Sequence, residues 1–222
     1  MVNMEKNVDE KIALKTAQLL LSVSAVNFRF EPPFTYTSGL RSPIYLDNRL
    51  ILSYPDIRSE IIKLYIGLIR KYIGEENVQC VSGTATAAIP QAALIAHELH
   101  IPLVYCRSSA KQHGKEKQIE GFIKPESKVL IVEDHISTGG SAITNIDAVR
   151  AEGGIVDYCI ASTTYETKKA EEQFREKGVA LIILSTGAII VQAAEKQGVL
   201  TSEEAEIVRE WLIDPQKWQK DH

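Results

Sequence analysis

The chain has 222 residues, 45% of them hydrophobic and 24% charged, with a formal net charge of −4. These values describe an ordinary soluble globular protein with one generous core, and the negative balance argues against general nucleic-acid binding, which relies on a broad basic surface. No apolar run approaches a membrane span, and the polar start MVNMEKNVDEK lacks the apolar stretch of a secretory signal.

The expectation is therefore a cytoplasmic protein with neither nucleic acid nor membrane as partner. Cys80, Cys106 and Cys159 form no CxxC and no metal-ligand spacing, so they read as reduced, buried core residues. Val8, Ile12, Leu19 and Val23 share an apolar stripe, which predicts a first helix over about residues 5–26. Pro32-Pro33 ends it, and residues 34–52 read as short extended pieces around Ser38-Gly39. Pro55-Asp56 opens a second helix, with Ile57, Ile61, Leu64, Leu68 and Tyr72 at helical spacing.

From residue 78 strands and helices alternate. VQCVSG precedes the helical AAIPQAALIAHEL, and PLVYCR is the next strand. KVLIVED leads into a helix ending near Gly153-Gly154, and IVDYCIAST, KKAEEQFREKG and ALIIL follow. Short apolar strands separated by helices imply parallel βαβ units. Two further helices fit the last stretch, separated by Gly198 and a Thr201/Ser202 cap. The expected layout is a single domain over residues 1–222. It has a hood over about 1–74, an α/β core over about 78–185 and C-terminal helices over about 187–213.

The densest chemistry lies in VLIVEDHISTGGS, residues 129–141. Residues 129–132 form a continuous apolar run, as in a strand covered on both faces. Glu133 and Asp134 follow where the strand is expected to emerge, at the edge where open α/β sheets bind ligands. Ser137, Thr138, Gly139, Gly140 and Ser141 supply hydroxyls and Cβ-free backbone, whose N–H groups can converge on a phosphate at the start of a helix. The string is neither a Walker A loop nor a GxGxxG. Acids beside a phosphate loop suit a ligand that also carries vicinal hydroxyls or a metal.

Residues 107–121, RSSAKQHGKEKQIEG, form a long basic segment between strands, with Arg107, Lys111, Lys115 and Lys117 against one acid, Glu116, up to residue 117. Standing alone it is an ordinary solvated charged loop; beside an anionic ligand it becomes a clamp. FTYTSGLRSPIYLDNR, residues 34–49, mixes aromatics with Arg41 and Arg49, as either an ordinary hairpin or a surface that stacks on a planar base. SGTATAAIP, residues 82–90, is a strand-to-helix turn. His97 and His100 have no ligand partners at metal spacing.

The 129–141 string resembles the 5-phosphoribosyl 1-diphosphate (PRPP) signature of type I phosphoribosyltransferases. RxxxKxHG followed by IEG, and SGxxSPIYxDxR, resemble segments of the orotate phosphoribosyltransferase family. The resemblance implies a type I phosphoribosyltransferase fold, a central mainly parallel sheet flanked by helices with a small N-terminal hood. It implies transfer of the phosphoribosyl group from PRPP to orotate, giving orotidine 5′-phosphate and pyrophosphate in pyrimidine biosynthesis. PRPP would be held by Arg107, Lys111, His113, Glu133, Asp134, His135, Ile136, Ser137, Thr138, Gly139, Gly140 and Ser141, and orotate by Ser137, Tyr45 and Leu46. Catalysis would fall to Lys111, His113, Arg107 and Asp134, with residues 82–90 as the pyrophosphate loop. The cofactor implied is Mg²⁺, bound mainly through PRPP with no direct protein ligand assigned. A homodimer sharing the basic loop across subunits is also implied.

The chain departs from its relatives in four places. Thr37 and Ser108 stand where some members carry lysine, and His135 where relatives usually carry an apolar residue. Thr163-Thr164-Tyr165 replaces an arginine that sometimes grips the base. A purine phosphoribosyltransferase and a PRPP-binding regulator without turnover are the alternatives on this fold.

Overall fold

The computed structural model describes residues 8–36, 39–108 and 117–221. Helix α1 (Glu10–Ser22) begins where the Asp9 carboxylate accepts the Ile12 amide at 3.0 Å, satisfying one of the free N–H groups of its first turn. It is shorter than its apolar stripe suggests. Ser24 takes φ +55°, the chain leaves the helix, and Val26 belongs to a strand. The start expected near residue 5 lies outside the described residues.

In the hood, β1 (Val26–Phe28) pairs antiparallel with β4 (Ile44–Leu46), and β2 (Phe34–Thr35) with β3 (Arg41–Ser42). A 3-10 segment, Asn48–Ser53, then leads into α2 (Pro55–Leu68), with Pro55 in the first turn, where a missing N–H costs nothing.

The core follows as β5 (Cys80–Thr84), α3 (Ile89–Leu99), β6 (Leu103–Cys106), β7 (Ile119–Glu120), β8 (Val129–Ile136), α4 (Gly140–Ala151), β9 (Tyr158–Thr164), α5 (Lys168–Lys177) and β10 (Ala180–Thr186). The strands form one sheet in the order β10-β9-β8-β5-β6-β7, parallel throughout except for β7. α6 (Gly187–Lys196), α7 (Ser202–Ile213) and α8 (Pro215–Asp221) complete the chain. The cap expected before α7 is a reciprocal box. Thr201 accepts the Glu204 amide, and the Glu204 carboxylate accepts the Thr201 amide.

Both faces of the sheet are covered, which is why its strands read as unbroken apolar runs. Val81, Leu130, Val132, Ile160, Ile182 and Leu184 pack toward α1, α2, α3, α6 and α7; Cys80, Val129, Ile131, Cys159, Ala161 and Ile183 pack toward α4 and α5. Each such aliphatic side chain, once fully buried, contributes about 1.5–3 kcal/mol. The three cysteines are free and buried, as composition suggested. Gly83 lets α3 rest directly on β5, since a Cβ there would lie 2.8 Å from that of Ala92.

From β5 the chain moves outward to β6 and β7, then crosses back past β5 to β8 and continues through β9 to β10. β5 and β8 therefore flank the point where strand order reverses, and their C-terminal ends share an edge. That edge is where open α/β sheets leave a crevice.

Candidate active site

The crevice is a cleft of about 450 Å³. Thr84 and Ala85 enter from the end of β5, Cys106 from the end of β6 and Arg107 and Ser108 from just beyond it, and Glu133, His135 and Ile136 from β8. The loop into α4 supplies Ser137, Thr138, Gly139, Gly140 and Ser141. Two loops from opposite sides of the switch point thus face one space.

The second loop is built for close approach. Gly139 has φ +88°, and a Cβ there would sit 3.3 Å from Gln173 Oε1 and 3.4 Å from the Phe174 ring, against α5. It occupies the N-cap of α4 without a capping side chain, so the first-turn N–H groups stay open to the cleft. From behind, the Thr167 hydroxyl donates to the Ser137 carbonyl at 2.6 Å.

The acids sit differently from the sequence expectation. β8 does not release the chain after Val132 but runs through Glu133 and Asp134 to Ile136. Alternation also slips within it, because Ile131 and Ile136, five residues apart, pack in the same cluster. Ile160 and Tyr165 do the same on the other face of the adjoining β9 segment. Glu133 is 5% exposed; its Oε1 accepts the Asp134 amide at 3.0 Å, and Oε2 is buried without a good hydrogen-bond partner among the described residues. Burial first, then the neighbouring Asp134 carboxyl, push Glu133 well above the usual carboxylate range. Asp134 is half-buried and outside the cleft wall. Burial raises the Tyr65 phenol, with the Asp134 charge adding to it; Tyr65 bonds Ser162 at 2.7 Å. Among the described residues, no cluster of three or more His, Cys, Asp or Glu is arranged to hold a metal ion.

His135 is neither solvent-facing nor paired with the acids. Its Nδ1 lies 2.9 Å from Thr163 Oγ1, its ring meets Tyr165 edge-on at 4.3 Å, and burial lowers its pKa to about 4. Thr163 also accepts from Asn48 Nδ2 at 3.0 Å, and the same amide donates to the Asp134 carbonyl at 2.7 Å. Tyr165 continues the contact into the hood through a 2.9 Å hydroxyl pair with Tyr36. Asn48 and Thr167 are the residues sequence reasoning missed, and Thr163 reads in the sequence only as part of a segment standing in place of an arginine. Their partners on β8 and in the loop after it become visible only in the fold. Tyr45 and Leu46 lie in β4 outside the cleft wall, with Tyr45 stacked at a tilt on Phe34, 5.5 Å away. The hood meets the site through Asn48 instead.

Arg107 is held at the cleft by its amide, which donates to the Gln118 carbonyl at 2.9 Å, and by a 3.6 Å ion pair with Glu120. Ile119 and Glu120 form a short antiparallel strand that the unpatterned basic segment did not reveal. Lys117 pairs with Glu152 away from the cleft. Lys111, His113, Lys115 and Thr37 lie outside the described residues. His97 and His100 are exposed, with His100 in the left-handed C-cap of α3.

Residues 51–193 match the model of the phosphoribosyl transferase domain. The orotate phosphoribosyltransferase of Staphylococcus saprophyticus is 42% identical over 200 residues, covering 90% of this chain and 98% of that protein. The crystal structure of orotate phosphoribosyltransferase from Aeropyrum pernix superimposes with a TM-score of 0.69 at 29% identity, covering 83% of this chain and 98% of that one. The Mycobacterium tuberculosis H37Rv orotate phosphoribosyltransferase in complex with PRPP gives 0.60 at 25% identity, over 80% and 97% of the two chains.

Proposed function

Because this chain belongs to the orotate phosphoribosyltransferase family, we propose that its cleft binds PRPP and orotate and joins them, releasing pyrophosphate. One observation carries the assignment of the cleft. The glycine-rich start of α4, the end of β5 and Arg107 converge on one space at the switch point of the sheet. A substrate with a phosphate at one end and a diphosphate at the other needs such a two-ended cradle.

The open N–H groups and hydroxyls of residues 137–141 hold the 5′-phosphate at the positive end of the α4 dipole. Thr84, Ala85 and the turn after them receive the diphosphate. Arg107 supplies fixed positive charge in a chain that is negative overall, joined by Lys111 and His113 of the basic segment, with Lys111 the main candidate for stabilising or protonating the leaving group. Glu133 and Asp134 take the ribose hydroxyls, and Ser137 takes part in holding the base. Displacement at the ribose C1 through an oxocarbenium-like state needs no protein nucleophile. Exclusion of water from the reacting carbon matters because its attack would waste PRPP as free ribose phosphate.

Glu133 is buried and, among the described residues, no third ligand joins it and Asp134, so Mg²⁺, a hard cation that retains waters, would be held mainly through PRPP rather than by protein ligands. Bound with the diphosphate, it supplies charge neutralisation for the leaving group. The family resemblance supports a homodimer in which the basic segment serves the neighbouring subunit. Three buried free thiols support a cytoplasmic setting. No helix among the described residues is long and apolar enough to cross a membrane.

The test is orotate consumption, followed by ultraviolet absorbance with PRPP and Mg²⁺, in the presence of hypoxanthine, adenine or uracil as competitors. Loss that depends on PRPP and Mg²⁺ and ignores the other bases is expected. PRPP binding without turnover of any base would overturn the reading in favour of a regulator, and preference for a purine would move the substrate.

A further inference from the structure

Behind the cleft lies a polar cluster that packing alone does not require. Asn145, fully buried on α4, accepts the Ser82 hydroxyl at 2.7 Å through Oδ1. Its Nδ2 donates to Thr84 Oγ1 at 3.0 Å and to the Ser82 carbonyl at 3.4 Å. Both amide hydrogens and the amide oxygen are used. Ser82 is fully buried and Thr84 is 6% exposed. The neighbours of Asn145 on the same helix face are Ala142, Ile146 and Val149, and an apolar residue would continue that stripe. Burying an amide among aliphatics is costly unless every polar atom is paired, and here every one is.

The placement of the cluster shows what it connects. α4 carries the 137–141 loop at its start, and Asn145 is in its second turn. Thr84 is the last residue of β5 and lines the cleft at the opposite loop. One side chain therefore ties the helix behind one anion cradle to the strand that launches the other. Apolar contacts between α4 and β5 hold the two elements together but let them slide by fractions of an ångström. Three directional hydrogen bonds fix their offset.

We propose that Asn145 is a positioning residue that sets the span between the two anion cradles, and so selects a substrate with phosphate groups at both ends. The inference rests on the two-ended reading of the cleft and adds to it a residue that never touches substrate. A misplacement near 1 Å between groups that must engage one ligand together costs on the order of 100-fold in rate. A ligand that fills only one cradle does not sense the span.

The experiment uses Asn145→Leu and the milder Ser82→Ala in the full chain. PRPP, inorganic phosphate and pyrophosphate are titrated separately by calorimetry with Mg²⁺ present, and kcat and KM are measured for PRPP and orotate. For Asn145→Leu, PRPP affinity should fall about tenfold or more, while phosphate and pyrophosphate each stay within about twofold. Ser82→Ala should move in the same direction by less and guards against a misfolded leucine variant. Unchanged PRPP affinity in both variants would overturn the proposal. So would an equal loss for all three ligands, which would make the cluster a simple core element. Failure of the parent chain to bind PRPP would instead strike the underlying reading, so the two failures are distinguishable.

Discussion

The Thr167 hydroxyl donates to the Ser137 carbonyl at 2.6 Å while accepting the Ala170 amide at 3.3 Å, so the cap of α5 is also the brace of the 137–141 loop. Local helix chemistry and the site share one oxygen. Thr167→Ala should cost about 1 kcal/mol of stability, the usual loss of an N-cap. It should also raise the KM for PRPP more than that for orotate. Steady-state kinetics beside a thermal melt check both, and a stability loss with an unchanged PRPP KM would make Thr167 a cap alone.

Asn48 gives a complementary case on the hood side. Its amide holds the Asp134 carbonyl and the Thr163 hydroxyl together, at the point where the hood meets β8 and β9. Asn48→Ala strands two buried partners, at about 1–3 kcal/mol, and loosens the hood relative to the cleft. Orotate KM should rise while phosphate binding at the α4 loop stays near the parent value. Equal effects on both ligands would show that the hood does not border the base.

Two buried groups in the site titrate in opposite senses. Glu133 is raised above its ordinary 4.5, so above that pH the folded state keeps a proton the unfolded chain has lost, and stability falls as pH rises. His135 is lowered from 6.5 to about 4, so its contribution is complete above 6.5 and is lost as pH falls toward 4. Glu133→Gln should therefore be relatively more stable than the parent at pH 8, with the gain vanishing near pH 4. His135→Asn, which keeps a hydrogen-bonding partner for Thr163, should lessen the acid loss between 6.5 and 4 by at most about 3 kcal/mol. Melting curves across pH 4–8 test both, and parallel curves for parent and variants would remove these groups from the balance.

Lys111→Ala should lower kcat by two orders of magnitude or so, as loss of an electrostatic stabiliser does, with the melting temperature unchanged. Asp134→Asn should chiefly impair PRPP use. Wild-type turnover in the first variant, or unchanged PRPP kinetics in the second, would remove that residue from its assigned role.

The order of strands and helices was legible because each element carries its own period and punctuation: Pro55 at a helix start, Gly178 after α5, and the apolar runs of a doubly covered sheet. The glycine-rich turn into α4 was legible because its glycines and hydroxyls are contiguous. What escaped depends on contacts distant in sequence. Ser24 ends α1 through a left-handed backbone that no apolar stripe reveals. Glu133 looks like a strand-end acid, yet β8 continues beneath it. Asn48 and Thr163 are 115 positions apart, and neither signals the other. The aromatics of residues 34–49 read equally as a hairpin or as a base platform; Tyr36 lies edge-on to Trp211 at 6.3 Å and 6.2 Å from Tyr45, packing within the hood, a choice that depends on Trp211, far away in sequence.

The hood is fastened at its far side to the last residues of the chain. The Arg41 amide donates to Gln219 Oε1 at 3.0 Å, its guanidinium to the Gln219 carbonyl at 2.8 Å, and the Trp211 indole to the Arg41 carbonyl at 2.9 Å. Synthesis runs from the N-terminus, so Arg41 leaves the ribosome long before its partners exist. The glycine-rich turn into α4 has its bracing residue once α5 has formed, but the hood must wait for α7 and α8. A nascent chain thus acquires its two halves in a fixed order, with the hood docking only after α7 and α8 are made.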